Sequence, residues 1–236
     1  MKKILIYVFV ILLLNACNTG NKIKVEYAGA LKTIMHEGDV SAKINLMSIK
    51  DIPHLFAIGA VENLKGEIII LDGNPFISSV KDGNISITES FDVKAALLVY
   101  TSVENWKEIT IPEKVKSGKE LESFLLQSAV KSEIDINSPF PFLIKGKIQS
   151  VGWHIIDWEE SDSVHTHEKH KNSGLRGDIT DQEITILGFY SNKHTGIFTH
   201  KTSNIHMHIV NRSEDIAGHL DQFQPGDNIL LLPKKD

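Results

Sequence analysis

Apolar residues in this chain fall mostly into short runs of strand length, each closed by polar or glycine-containing turns. Residues 55–61, 67–71, 76–80, 85–88 and 95–101 make a first series, and 142–148, 151–158, 183–190, 205–210 and 228–232 a second. Asp72-Gly73 and Asp82-Gly83 punctuate the first series. An Asp-Gly pair between apolar runs predicts a tight hairpin, because both central residues of the turn that matches strand twist need positive φ. Two stretches break the strand pattern. Residues 27–37 carry Ala, Leu, Ile and Met at helical spacing before Gly38, which predicts a short helix. Ser117 and Glu120 form a capping box, and Leu121, Phe124, Leu125 and Ala129 then recur on one face, which predicts the main helix over 118–131. Residues 159–181 are polar and predict a long exposed loop. Strands predominate, so the expected class is α+β, mostly β, with a first lobe over 27–131 and a second over 132–236.

The N-terminus follows a different rule. Lys2 and Lys3 precede an apolar run from Ile4 to Leu14, too short for a bilayer core that needs ~20 residues. Residues 1–16 therefore read as a secretion signal. Leu14-Asn15-Ala16-Cys17 resembles the lipobox of bacterial lipoproteins, in which the chain is cut before the Cys and the thiol is diacylated. Cys17 is the expected lipidation site and residues 17–26 the tether. Two acyl chains anchor stably where one is marginal, so an exported protein lipid-anchored to a membrane is expected. Removing two lysines from a chain of net charge −5 leaves the mature part at −7. With no basic footprint, nucleic acid is not an expected partner.

Composition adds two facts. One Cys in 236 residues excludes an internal disulfide framework and a Cys-rich zinc site. Eleven His are present, and nine lie from His154 onward. In His206-Met207-His208 the imidazoles share one face of a strand, while Ile205, Met207 and Ile209 share the other. A hairpin closed between Ser213 and Glu214 would set His219 opposite His208, at a Cβ separation of ~4.5–5.5 Å. Three converging imidazoles suit Zn²⁺ with an open position, and without a thiolate they also suit other divalent transition metals. His165, His167 and His170 sit among polar residues and are expected in a solvated loop, with weak metal capture or a flap over the site as the alternative. His194 and His200 flank the site strand as candidates for supporting the ligands.

Three blocks then resemble the α-acetolactate decarboxylase family: 34–39 (Ile-Met-His-Glu-Gly-Asp), 59–73 with Gly66-Glu67 and Leu71-Asp72-Gly73, and His206-Met207-His208 through Gly218-His219-Leu220-Asp221. The resemblance implies a two-lobed fold, with a mixed β-sheet in the first lobe and a smaller β lobe carrying the metal site, and a homodimer. It implies Zn²⁺ on His206, His208 and His219, with Glu67 beside the metal as a catalytic residue. It also implies decarboxylation of 2-acetolactate, or of a related 2-hydroxy-3-keto acid, to acetoin or its analogue. Two departures stand out. His154 falls where the family carries an active-site Arg, which makes it the second catalytic candidate, and the chain stops at Asp236, short of the family's acidic tail. Two alternatives follow: a catalytically inactive relative that binds metal or a small hydroxy acid, and a cupin-like metal protein.

Overall fold

The computed structural model describes residues 23–200 and 203–234. The signal segment and Cys17 lie outside the described residues. Two antiparallel sheets stack face to face. The first contains β1 (Glu26–Ala28), β2 (Ile44–Asn45), β3 (Leu55–Val61), β4 (Glu67–Leu71), β5 (Asn74–Lys81), β6 (Asn84–Thr88) and β7 (Lys94–Ser102). Their order is β1-β7-β3-β4-β5-β6, with β2 also on β7. The second contains β8 (Trp106–Thr110), β9 (Phe140–Lys147), β10 (Ser150–Ile155), β11 (Leu175–Thr180), β12 (Glu183–Tyr190), β13 (Ile205–Asn211), β14 (Ala217–Gln224) and β15 (Asp227–Pro233). Its order is β11-β10-β14-β13-β12-β9-β15-β8.

The predicted hairpins form as their turn chemistry requires. Asp72 and Gly73 have φ of 49° and 80°, and Asp82 and Gly83 have 52° and 74°, joining Leu71 to Asn74 and Lys81 to Asn84 across two-residue turns. The main helix, α2 (Gly118–Lys131), is capped by the Ser117 side chain, which accepts from Glu120 N. The Glu120 carboxylate reaches back to the Lys116 N–H at 2.8 Å. Leu121, Leu125 and Ala129 are buried against Ile186, Ile209 and Leu230 on the outer face of the second sheet. A second core lies between the sheets, where Phe56, Ile58, Leu97 and Val99 meet Leu187, Phe189, Val210 and Ala217.

Several expectations change. Every pairing between named strands is antiparallel, so the first sheet is not mixed. The second sheet has eight strands against seven and is not the smaller one. The chain passes from one sheet to the other between Ser102 and Trp106, ahead of the expected division at 131, because β8 pairs with β15. The helix expected from 27 begins later, as α1 (Leu31–Glu37), because Glu26–Ala28 is drawn into the sheet opposite Tyr100–Leu98. The 159–181 segment is not one exposed loop. Thr166 caps a short helix, α3 (His167–Asn172), and β11 then pairs along β10.

Candidate metal centre

β13 is buried along its whole length. Its odd positions, Ile205, Met207 and Ile209, join the core under α2, which leaves His206 and His208 on the face toward the first sheet. The turn after Asn211 is held by its own side chain, whose Oδ1 accepts from the N–H groups of Asp215 and Ile216. The hairpin so closed pairs His208 with His219, the register expected from sequence. His206 Nε2 lies 3.1 Å from His208 Nε2 and 3.2 Å from His219 Nδ1, and the third edge of the triangle is 3.4 Å.

These distances test whether a metal fits. Three corners of a tetrahedron with Zn–N of about 2.0–2.1 Å are about 3.3–3.4 Å apart, close to the three edges observed. Burial, and then the charges of neighbouring His residues, depress the basicity of all three rings, that of His206 to about 3. Neutral imidazole is the ligand form. Nδ1 of His206 and of His208 has no hydrogen bond of good geometry, although backbone groups of Phe198 and Ile68 beside them favour the protonated rings. His206, His208 and His219 can hold a metal ion.

Glu67 arrives from the other sheet. It opens β4 after Gly66, whose φ is +147° and where a Cβ would lie 2.0 Å from the Ser78 carbonyl oxygen. Only glycine lets β4 pass β5 this closely. The Glu67 side chain is buried, with Oε1 accepting from Ile156 N at 3.3 Å and Oε2 at 3.7 Å from His208 Nε2. Burial pushes its carboxyl well above the ordinary range; the Ile156 N–H opposes this and the Asp221 charge adds to it. Burial thus favours the protonated carboxyl at Glu67 and the neutral imidazole at His208.

His154 is also brought in. It lies opposite His219 across the β10–β14 ladder, with ring centroids 4.8 Å apart. Its Nδ1 is 3.0 Å from Asp221 Oδ1, and Lys171 Nζ is 3.2 Å from Asp221 Oδ2. Burial raises the Asp221 carboxyl, but the hydrogen bonds and charges of His154 and Lys171 outweigh it and hold the group below the ordinary aspartate value.

The resulting cavity measures about 60 Å³ and is walled by Gly59, Ala60, Leu64, Leu97 and Ile156 on its apolar side. Four further histidines line it: His154, His167, His170 and His200. The expected solvated cluster is thus corrected. α3 lies over the site, with His165 stacked on Trp158 at 4.5 Å and its Nδ1 2.8 Å from His170 Nε2. His200 joins the cavity, its ring 4.7 Å from that of His167. His194 does not; it bonds Ser191 Oγ at 2.7 Å and stacks on Phe198. Asp221 and Lys171 are site residues that sequence reading missed. Asp221 carries a usable signal, because it lies two residues beyond His219 on a strand and so shares its face.

Comparison with known proteins agrees with this geometry. A family model described as alpha-acetolactate decarboxylase matches residues 32–231. Acetolactate decarboxylase from Bacillus subtilis strain 168 superposes with a TM-score of 0.69 at 15% identity, covering 90% of this chain and 85% of that one. The enzyme from Bacillus subtilis subspecies spizizenii gives 0.70 at 17%, covering 90% and 86%. A Staphylococcus aureus protein of unknown function, similar to alpha-acetolactate decarboxylase, gives 0.72 at 14%, covering 90% and 85%. No curated protein matches in sequence. A family match across residues 32–231, together with a shared two-sheet fold, leaves the cupin-like reading without support: the chain belongs to the alpha-acetolactate decarboxylase family.

Proposed function

We propose that this protein is a metal-dependent carboxy-lyase that removes CO₂ from 2-acetolactate, or from a closely related 2-hydroxy-3-keto acid, giving acetoin from the former. The observation that carries the proposal is a buried Glu67 carboxyl, its affinity for a proton raised by burial, facing three convergent imidazoles in one cavity. His206, His208 and His219 would hold the ion, with Zn²⁺ the first candidate. Bound there, a divalent metal would supply Lewis acidity that stabilises the negative charge developing on substrate oxygen as CO₂ leaves.

The chain's own residues do the rest. Glu67 holds a proton beside the three imidazoles and delivers it to the carbon that has lost CO₂, and solvent returns a proton to the carboxylate when the product leaves. Gly59, Ala60, Leu97 and Ile156 keep water from the reacting carbon. A volume of 60 Å³ accommodates roughly four to six waters, a space on the scale of a small hydroxy-keto acid. His154 presents an imidazole to this cavity, and we assign it to substrate contact, in the role the resemblance gives to an Arg.

The test is turnover of racemic acetolactate by the Zn²⁺-loaded protein, read as acetoin and CO₂ between pH 5 and 8. A rate no higher than the spontaneous one rejects the acetoin assignment. The departure expected from sequence at His154 supports a second reading, a relative that binds metal or a hydroxy acid without turnover. Tight Zn²⁺ uptake by a catalytically silent protein would establish that reading. The proposal also carries the lipid anchor at Cys17, supported by the Leu14-Asn15-Ala16-Cys17 motif, and with it an exported, membrane-attached location.

A further inference from the structure

Asp221 is buried to 6% side-chain exposure. A carboxylate desolvated this far is tolerated only when partners meet its oxygens. The two partners come from different elements: His154 from β10 on Oδ1, and Lys171 from α3 on Oδ2. Neither belongs to the ligand triad. We infer that Asp221 is a positioning residue with two tasks: it fixes the tautomer and rotation of His154, and through Lys171 it latches α3 across the cavity. The inference rests on the reading of that cavity as the reaction chamber.

The first task follows from the ring chemistry. A neutral imidazole that donates Nδ1–H to a carboxylate carries its lone pair on Nε2. His154 lines the cavity, so Asp221 decides which nitrogen a ligand there can use. An Arg at this position would offer donors only. In its neutral form, His154 oriented by Asp221 offers an acceptor, which selects a ligand group that brings a proton, such as the hydroxyl of a 2-hydroxy acid.

The second task follows from the composition of α3. This six-residue helix buries none of its own side chains. Polar attachments hold it: the Thr166 cap, Lys169 on Asp162, His170 on His165, Asn172 on Arg176, and Lys171 on Asp221. Segments without buried apolar contacts open most readily. Among the ion pairs of α3, only Lys171–Asp221 has a deeply buried partner, because Asp162 is one-third exposed. The pair fastens the helix directly to the strand that carries His219.

The experiment uses the full chain without metal or substrate, so its outcome stands whether or not acetolactate is turned over. Two-bond ¹H–¹⁵N spectra read the His154 tautomer, and hydrogen exchange reads the α3 amides against those of β12 and β13 as a folding control. Expected in the native protein are Nδ1–H at His154 and protected α3 amides. Lys171→Ala should speed α3 exchange tenfold or more and leave the His154 tautomer unchanged. Asp221→Ala should do both, releasing α3 to the same degree and mixing the tautomers, with Asp221→Glu restoring part of each. If Asp221→Ala does not fold, Asp221→Asn carries the test. It keeps an acceptor for Nδ1–H but loses the charge that pairs Lys171, so α3 should loosen while the tautomer stays. Nε2–H at His154 in the native protein, or α3 exchange unmoved in every variant, overturns the inference.

Discussion

At the scale of single residues the site divides labour by environment. The same burial that favours the neutral forms of His206, His208 and His219 favours the protonated form of Glu67, because desolvation penalises whichever form carries charge. Replacing His206 by Ala removes one corner of the nitrogen triangle and should weaken Zn²⁺ binding by at least about 100-fold, since even residues that only support metal ligands cost 10–100-fold. Calorimetry of the metal-free protein measures it; undiminished uptake would move the metal elsewhere. Glu67→Gln keeps the shape and the contact to Ile156 but cannot release a proton. Metal affinity should stay within a few-fold while kcat falls by about 10²–10⁴, the usual worth of a positioned acid or base. Steady-state kinetics and a metal titration on the same preparation separate the two effects.

Among elements, the β3–β4 hairpin and α3 matter most, for opposite reasons. The hairpin is held by backbone geometry. A Cβ at Gly66 would press on the Ser78 carbonyl at a φ of +147°, so Gly66→Ala should destabilise by about 1–3 kcal/mol, the usual cost of overpacking. At ~2–4 °C per kcal/mol for a chain of this size, calorimetry should show the midpoint lowered by ~2–12 °C, together with a loss of activity as Glu67 shifts. α3 is held by polar contacts and responds to pH. Burial, and then the charges of His165, His167, His154 and His200, depress His170 to about 4 from an ordinary 6.5. The unfolded form therefore takes up a proton first, and the stability tied to neutral His170 is complete above pH 6.5 and lost as pH falls toward 4. Amide exchange in α3, corrected for the intrinsic pH dependence, should accelerate relative to β13 across that window. His170→Gln should flatten the profile. The sequence shows why α3 escapes a pattern reading: six residues with no apolar stripe give no helical periodicity, and only the Thr166 cap marks its start.

For the whole molecule, the stacking of the two sheets is the functional act. β4 faces β13 and β14 across the inter-sheet core, and this brings Glu67 and Ile156, 89 residues apart in sequence, into hydrogen-bond contact beside His206, His208 and His219. Among the described residues no helix is long and apolar enough to cross a membrane; the proposed lipid anchor is tested at Cys17. Cys17→Ala should move the protein from the membrane to the soluble fraction on cell fractionation and abolish incorporation of labelled fatty acid. Membrane retention that needs detergent to release would reject the lipid anchor.

What the sequence determined by itself was local and periodic. Alternation along 205–209 put His206 and His208 on one face, the Ser213-Glu214 turn set His219 opposite His208, and Asp-Gly pairs and the Ser117–Glu120 box fixed turns and a helix start. Each follows from residues within about a dozen positions of one another, where backbone geometry alone dictates the outcome. Only the tertiary structure decided that Glu67 meets His208, that His154 and Lys171 share the Asp221 carboxylate, and that α3 closes the cavity with His167 and His170. Periodicity says which way a side chain points from its own strand or helix. It does not say which other element will stand in front of it, because that depends on the order in which strands pair and on how two buried faces pack.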